Sequence, residues 1–288
     1  MPYAVITHAG KAHIDEILAA AVLAVHLGEP PSEVRRMNSA DAADMVAAGD
    51  VPENAWVIDC GMAYNPGKRL FDHHQDRNLP SAALMLFRHC FPELAGTDLE
   101  ARFETVSKVD TRGVRSLIET ELTSESRDYW SFSQQLLTKA FESDPAAALR
   151  VASLGLTEKI VFEEHKKAAA EWIAVPGRLV AADIDGLAAL EYKDAPPEGI
   201  ADGLKGIDGG IIERLGAVVV YGFDKTDPGI RTLYRTDIGH DLIDFTQSSP
   251  KDALFNHQGG FLLRFRPADE EEWMRIVRDS RIVPDIPG

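Results

Sequence analysis

Short apolar runs that alternate with helix-patterned segments constrain the first half of this chain more than any other feature. Such alternation favours parallel βαβ units, in which each helix covers the sheet between two neighbouring strands. We therefore predict an α/β domain built on a doubly wound, mainly parallel sheet. The predicted strands are Val5 to Thr7, Glu33 to Met37, Ala55 to Ile58 and Lys68 to Phe71, with helices at 13–27 and 39–48.

The second half of the chain has a different texture. Helices are predicted near 81–91, 98–108, 127–142 and 144–173, and a smaller α+β domain follows, with strands near 178–184, 217–223, 230–235 and 260–265 and a helix at 269–278. The 288 residues suffice for two domains. We predict a catalytic domain over residues 1–145, a connecting helix over 146–175 and a substrate-binding domain over 176–288.

Charge and cysteine content narrow the classes of function. A net charge of −16 disfavours sequence-independent binding of duplex DNA, because Lys and Arg contacts to phosphates dominate that affinity. No apolar run approaches the roughly 20 residues that cross a bilayer, so no membrane partner is expected. The two cysteines, Cys60 and Cys90, imply no disulfide framework and fit a reducing cytoplasm. Assembly as a homodimer is left open.

Acidic and histidine side chains follow the predicted strands of the first domain. His8 follows the first, Asp59 follows the third, and Asp72-His73-His74 follow the fourth. Ligands of doubly wound sheets bind outside the carboxyl ends of the strands. His13 and Asp15, at the start of the first helix, complete a set of nitrogen and oxygen ligands that suits Mn²⁺, Fe²⁺, Co²⁺ or Zn²⁺ better than Ca²⁺.

Each of these residues also has a plainer interpretation. Asp15 and Glu16 could serve the N-terminus of the helix electrostatically, and Asp59 could be a turn acid. Asp72-His73-His74 could form a hydrogen-bonded turn, and Asp110 could be a turn residue after a helix. Cys60 is expected to be a buried packing residue rather than a nucleophile.

Several further residues are candidates for contact with a phosphate. Lys11 lies between two candidate ligands, and Arg112 and Arg115 follow Asp110; a solvated surface role is the alternative for all three. In the second domain, His257, Gly259 and Gly260 could hold an anion through a side-chain donor and backbone N–H groups. A tight hairpin turn is the alternative there, and a flexible turn is expected for the Gly-rich segment 206–210.

The order of these motifs resembles a known family. His8-x4-His13-x-Asp15, Val57-Ile58-Asp59-x-Gly61, Phe71-Asp72-His73-His74-Gln75 and Val109-Asp110 are similar to the motifs of the DHH phosphoesterase superfamily, and in their extended forms to its Myg-type branch of metal-dependent exonucleases. The resemblance covers the N-terminal half well and the C-terminal half loosely. It implies a DHH-type catalytic domain. One departure is His13, where many relatives carry Asp, and this leaves the preferred ion and its affinity open.

The resemblance also implies roles for individual residues. Two divalent ions, Mn²⁺ first and Mg²⁺, Co²⁺ or Zn²⁺ as alternatives, would be bridged by Asp59. Besides that bridge, Asp72, His73 and His74 are the candidate catalytic residues, with Asp72 orienting ligands or binding directly and His74 facing the substrate phosphate. His8, His13 and Asp59 would hold one ion; the other would be held by Asp15, Asp59, His73 and Asp110.

We accordingly expect a metal-dependent phosphoesterase that hydrolyses phosphodiester bonds with a water activated by two metal ions. A 3′–5′ exonuclease on short single-stranded nucleic acid is the leading expectation, because a strand end needs only a few phosphate contacts. The alternatives are a phosphatase or phosphodiesterase acting on a small phosphorylated nucleotide, and a non-catalytic metal- or ligand-binding protein.

Overall fold

The computed structural model describes residues 2–113, 124–197, 200–248, 250 and 252–282. The chain divides into two compact units, Met1–Glu163 and Glu164–Gly288. The longest helix, α6 (Pro145–Ile173), runs across that division. The predicted domain boundaries at 145 and 176 bracket the same helix and stay a prediction.

The first unit is built on a five-stranded sheet with the order β2-β1-β3-β5-β4. β2, β1, β3 and β5 pair in parallel, whereas β4 pairs antiparallel with β5, so the sheet is mixed. The class is α/β. The strands are β1 (Ala4–His8), β2 (Glu33–Met37), β3 (Ala55–Ile58), β4 (Tyr64–Asn65) and β5 (Leu70–Phe71).

Helices cover both faces of this sheet because successive strand residues point to opposite sides. Val5 and Ile58 lie in one core cluster with α1 and α3, whereas Ile6 and Val57 lie in another with α2. The helices of this unit besides α6 are α1 (Ile14–Leu27), α2 (Ser39–Ala48), α3 (Ala82–Cys90), α4 (Asp98–Arg112) and α5 (Ser124–Ser143).

The second unit contains a mixed six-stranded sheet with the order β10-β11-β9-β8-β7-β6. All its neighbours pair antiparallel except β7 and β8, which are parallel and joined through helix α7. Its elements are β6 (Leu179–Ile184), β7 (Leu187–Tyr192), α7 (Ile200–Leu215), β8 (Val219–Phe223), β9 (Arg231–Arg235), β10 (Ala253–Asn256), β11 (Leu262–Phe265) and α8 (Glu272–Asp279).

The two faces of this second sheet are covered differently. Helix α8 packs on one face, where Trp273 stacks on Tyr221 with a centroid separation of 4.7 Å. On the other face, α7 and the C-terminal end of α6 form a cluster with Leu190 and Val220. The expected flexible turn at 206–210 is wrong, because these residues lie inside α7.

No helix in the described parts of the chain combines the length and the apolar character that crossing a bilayer requires.

Candidate metal centre

Three neighbouring strands of the first sheet deliver the predicted ligands to one edge. His8 is the last residue of β1, Asp59 directly follows β3, and Asp72 directly follows β5. Since β1, β3 and β5 are adjacent and parallel, their carboxyl ends meet at the same edge. The structure thus brings together side chains that lie far apart in the sequence.

Three groups of potential ligand atoms occur at this edge, each with all its atoms within 4.8 Å of one another. Asp59 belongs to two of these groups and therefore links His8 and His13 to the Asp72-His73-His74 segment. The groups are Asp59 with Asp72, His73 and His74; His8 with His13 and Asp59; and Asp15 with His73 and Asp110.

The spacing of these atoms fits a divalent ion. The imidazole Nε2 of His8 lies 3.4 Å from Asp59 Oδ2, and Nε2 of His73 lies 3.3 Å from Asp59 Oδ1. Ligand bonds of about 2.1 Å place the atoms of a tetrahedral shell about 3.4 Å apart. All four atoms are buried and none has a hydrogen-bond partner. Buried polar atoms are almost always paired, so this quartet matches the donor set of a metal site.

His8 is held in the tautomer that a metal requires. Its Nδ1 lies 2.9 Å from the carbonyl oxygen of Ala9, and since a carbonyl can only accept, Nδ1 carries the proton. Nε2 is then the unprotonated ligand atom when the ring is neutral. This arrangement is the usual outer-shell support of a ligating histidine. The ring of His13 lies 4.9 Å from that of His8.

Asp15 is fixed by a second helix as well as its own. Its two carboxylate oxygens accept hydrogen bonds from the backbone N–H groups of Ala82 and Ala83, at 2.9 and 3.0 Å. These groups open α3, whose N-terminus favours negative charge. Burial nevertheless raises the pKa of Asp15 to about 8, with help from the carboxylates of Asp59 and Asp110. A bound cation would offset this cost.

Asp59 occupies a backbone conformation that few residues adopt. Its φ of 55° lies in the left-handed region, and Gly61, two residues later, has a φ of 94°. Such strain concentrates at functional sites. Burial raises the pKa of Asp59, but His73 and His8 outweigh this and lower it to about 2. The bridging candidate is therefore ionised under all ordinary conditions.

The carboxylate of Asp72 accepts hydrogen bonds from the adjacent residue His74 and from the backbone of Met62. Its Oδ1 accepts from the backbone N–H of His74 at 3.1 Å and from His74 Nδ1 at 2.7 Å, while Oδ2 accepts from Met62 N at 2.6 Å. The side chain of His74 is 53% exposed. Hence His74 presents Nε2 to solvent in an orientation that Asp72 sets.

Asp110 reaches the cluster from a helix. Its Oδ2 lies 3.1 Å from His73 Nε2, and the residue belongs to the last turn of α4, so the interpretation as a turn residue after a helix is wrong. Lys11 and Arg112 are exposed, and Arg115 lies outside the described residues. Burial raises the pKa of the Cys60 thiol, which keeps it neutral as expected of a packing residue.

Sequence reasoning missed the support beneath the cluster. Glu16 is buried and accepts from Thr7 Oγ1, from His13 N at 3.0 Å and from Arg36 Nη2 at 3.2 Å. Its Oε1 also lies 3.5 Å from His8 Nε2. The capping-box position of Glu16, three residues after His13, was the available signal. Nothing in the sequence indicates the contact with Arg36 of β2.

Proton release should accompany metal binding at this site. Contact with Asp59 raises the pKa of His8 to about 9; burial lowers the pKa of His73, but Asp110 and Asp59 raise it to about 10. Metal ligation needs neutral imidazoles. Metal affinity should therefore keep rising from pH 7 to above pH 9, whereas ordinary histidines would level off above about pH 7.5.

Calorimetric metal titration in buffers of different ionisation enthalpy measures these protons directly. His240→Ala is the control, because His240 is an exposed histidine that pairs with Asp241, and it should release as many protons as the wild type. An affinity that is flat above pH 7.5 would contradict the raised pKa values of both histidines.

The second-domain candidates form a tight turn between β10 and β11. The N–H of Gly259 donates to His257 Nδ1 at 3.0 Å, and that of Gly260 donates to the His257 carbonyl at 2.8 Å. Both glycine N–H groups are therefore engaged within the turn. Because Nδ1 accepts, His257 carries its proton on Nε2. The ring packs 4.0 Å from that of Phe261.

A comparison with protein families gives one match. Residues 4–82 match the model named MYG1_exonuc, described as an uncharacterised protein family (UPF0160). The matched segment contains the candidate ligands of β1, β3 and β5 but not Asp110. A comparison with curated proteins gives no match. The match covers less than a third of the chain; with the His/Asp cluster, which could hold divalent ions, it fits a metal-dependent hydrolase.

Proposed function

We propose that this protein is a phosphoesterase that uses two divalent ions, Mn²⁺ first, to hydrolyse phosphodiester bonds at the end of a short single-stranded nucleic acid. We further propose that its first unit is a doubly wound DHH-type domain. The observation that carries the proposal is the buried quartet of unpaired atoms on His8, Asp59 and His73. Positive charge must offset the cost of burying such a set, supplied either by protonated imidazoles or by a metal ion, and the distances between the atoms fit the metal ion.

The ligand set divides around Asp59. His8, His13 and Asp59 would hold one ion; the second would be held by Asp15, Asp59, His73 and Asp110. When bound, such a pair lowers the pKa of a shared water and offsets the charge that develops on phosphoryl oxygens. The protein's part is to hold Nδ1–H of His8 on the Ala9 carbonyl, so that Nε2 is the ligand atom once the ring is neutral, and to hold Asp59 ionised.

His74 is the residue that we assign to the substrate phosphate. The carboxylate of Asp72 raises the pKa of His74, which favours the cationic form of the imidazole. With Nδ1 bonded to Asp72, Nε2–H remains as a donor toward solvent. A cationic donor at the exposed side of the cluster suits a phosphoryl oxygen. Asp72 is in this proposal a positioning residue.

Two more cations accompany His74. Lys11 is exposed in the loop between His8 and His13, and Arg112 is exposed at the end of α4, two residues after Asp110. Both belong to segments that carry candidate ligands, so we propose them as phosphate contacts. Arg115 is kept as a further candidate. These few cations, in a chain of net charge −16, favour a short substrate over a duplex.

A small phosphorylated nucleotide is the second candidate substrate, and the same charge balance supports it. Of the candidates His257, Gly259 and Gly260 in the second unit, we propose His257 as the substrate contact, with the two glycines shaping the turn that carries it. Since both glycine N–H groups are used within the turn, the Nε2–H of His257 is the group that we assign to this contact. We place the protein in the cytoplasm on the basis of its two free cysteines.

A substrate screen tests the proposed function. The metal-stripped protein, reloaded with Mn²⁺, should hydrolyse short single-stranded DNA or RNA from an end and lose this activity in chelator. Turnover of mononucleotides or cyclic dinucleotides alone would favour the second candidate. A protein that binds the ions but turns over none of these substrates would be the non-catalytic alternative, and the proposal would be wrong.

The same assay separates the contact at His257 from the metal centre. We expect His257→Ala to raise KM about tenfold, which corresponds to one charge-assisted hydrogen bond, with kcat and metal content unchanged. His240→Ala, which removes another exposed histidine of the second unit, should leave KM unaltered. Identical kinetics in wild type and His257→Ala would remove His257 from the substrate site.

A further inference from the structure

The second unit contains a large cavity that the proposed hydrolysis does not use. It lies between α7 and one face of the six-stranded sheet and has a volume of about 910 Å³. Leu204, Gly209 and Ile212 line it from α7, and residues of β8, β9 and β11 line it from the sheet. Pockets for small organic ligands measure roughly 300–1,000 Å³. The volume is therefore that of a ligand site.

The strand register decides which side chains face this cavity. Leu233 is fully buried in the core cluster of α8 on the opposite face, so its neighbours Thr232 and Tyr234 point toward the cavity. Thr232 pairs with Gly222 of β8 and with Arg264 of β11. Gly222, Thr232 and Arg264 therefore form a row across three neighbouring strands on this wall. Gly222 has no side chain to fill the cavity, Thr232 presents a hydroxyl, and Arg264 presents a guanidinium.

Polar groups on this wall lack partners. Within the described parts of the chain, the hydroxyls of Thr232 and Tyr234 make no hydrogen bond, and Nε of Arg264 is buried without a partner. Buried donors in native proteins are satisfied by protein or by water. The buried Nε of Arg264, with the more accessible hydroxyls of Thr232 and Tyr234 beside it, thus marks a place where a ligand supplies a missing acceptor.

The charged groups of the lining do not favour an anion, because Glu213, Asp224 and Asp237 stand against the two cations Lys225 and Arg264. Arg264 Nη2 lies 2.6 Å from Asp224 Oδ2, so the guanidinium is already neutralised. A phosphate or a fatty-acid carboxylate needs an unpaired cation, whereas a neutral molecule can bond to the donors of Arg264 and Thr232 without displacing the pair. The rings of Phe223 and Tyr234 also line the cavity, and aromatic walls favour planar ligands.

We propose that this cavity binds a neutral, planar heteroaromatic molecule of nucleoside size. Its ring system would lie among the apolar side chains of α7 and β8, and its acceptor edge would meet Thr232, Tyr234 and Arg264. The proposal does not depend on the proposed hydrolysis, because every residue that it uses belongs to the second unit. Binding should accordingly persist when all metal ions are removed.

Calorimetric titration of the full-length protein in chelator, with adenosine, guanosine, cytidine and uridine as probes, tests this. We expect at least one of them to bind with a Kd below about 1 mM. Gly222→Val places a side chain in the cavity, where a Cβ meets only Thr232 Oγ1 at 3.4 Å and Tyr192 at 3.5 Å. This variant should fold normally and lose the binding.

Two milder variants test the polar wall. Thr232→Val, which keeps the shape, and Arg264→Lys, which removes Nε and keeps the charge, should each weaken binding about tenfold. Arg266→Lys is the matched control, since Arg266 makes a similar pair with Asp227 at 2.7 Å but does not line the cavity. Absence of binding for all four nucleosides, or equal binding by Gly222→Val and wild type, would overturn the proposal.

Discussion

Asp59→Asn is expected to reduce the rate of phosphodiester hydrolysis by about a thousandfold, a loss typical of removing a key electrostatic group. Asp59 contacts both buried histidines of the cluster, with Oδ2 3.4 Å from His8 Nε2 and Oδ1 3.3 Å from His73 Nε2. An amide offers one oxygen where the carboxylate offers two, and it carries no charge. Asparagine would therefore be a poorer ligand for either of the two proposed ions.

Metal content provides a second measure that does not depend on substrate. Wild type should hold two Mn²⁺ ions per chain after dialysis against dilute metal, and Asp59→Asn no more than one. Asparagine tolerates the left-handed backbone at this position, so the variant should fold. Asp185→Asn is the matched control, because Asp185 is an exposed aspartate with a similar φ of 52°.

The result divides the hypotheses cleanly. If Asp59→Asn keeps full activity, the dinuclear mechanism is wrong. Loss of one ion with no activity found in wild type on any substrate would leave a metal-binding protein without the proposed catalysis.

Gly203→Ala is expected to destabilise the second unit by about 2–4 kcal/mol, the range of severe overpacking. A Cβ at position 203 of α7 would overlap the carbonyl group of His165 in α6 and lie 2.8 Å from the backbone nitrogen of Lys166. The obstacle is backbone, which cannot turn aside as a side chain can. The two helices must separate, and part of the cluster around Trp172 and Leu204 is lost with their contact.

A glycine-to-alanine substitution elsewhere on α7 should increase the stability of the protein instead of lowering it. Gly210 is exposed and a Cβ there meets nothing within 4 Å, so Gly210→Ala should stabilise by about 0.5–1 kcal/mol through helix propensity alone. Calorimetric thermal unfolding of the three proteins measures both effects. Equal melting temperatures for Gly203→Ala and wild type would show that α7 and α6 do not meet at Gly203.

The glycines of α7 also explain why the turn prediction for residues 206–210 was wrong. Segment 206–210 has two adjacent glycines and poor helix propensity, so local signals favour a turn, yet the segment is helical because α7 packs on α6 and the sheet. Strand β7 was missed for a related reason. Leu187 to Leu190 have no strict alternation, and only pairing with β6 and β8 makes them extended.

The convergence of candidate ligands that follow short apolar runs could be predicted from the sequence, whereas their chemical roles stay a prediction. His8, Asp59 and Asp72 each follow such a run, and parallel pairing alone brings them to one edge. Contacts between residues that are far apart in the sequence could not be predicted from it. Arg36 reaches Glu16 at 3.2 Å, and the N-terminus of α3 reaches Asp15, although no local pattern in the sequence relates these residues.

The attachment of Asp15 to α3 limits how small a working piece of this protein can be. The segment shared with the matched family ends at residue 82, at the very amide that holds one Asp15 oxygen. Asp110 comes from α4, and Glu142 of α5 accepts from the N–H of Ala12, within the loop that carries the first ligands. A fragment cut at the edge of the family match would keep the Ala82 amide but lose the Ala83 amide, Asp110 and Glu142. The smallest piece that keeps every one of these contacts must therefore extend at least to residue 142, well past the matched segment.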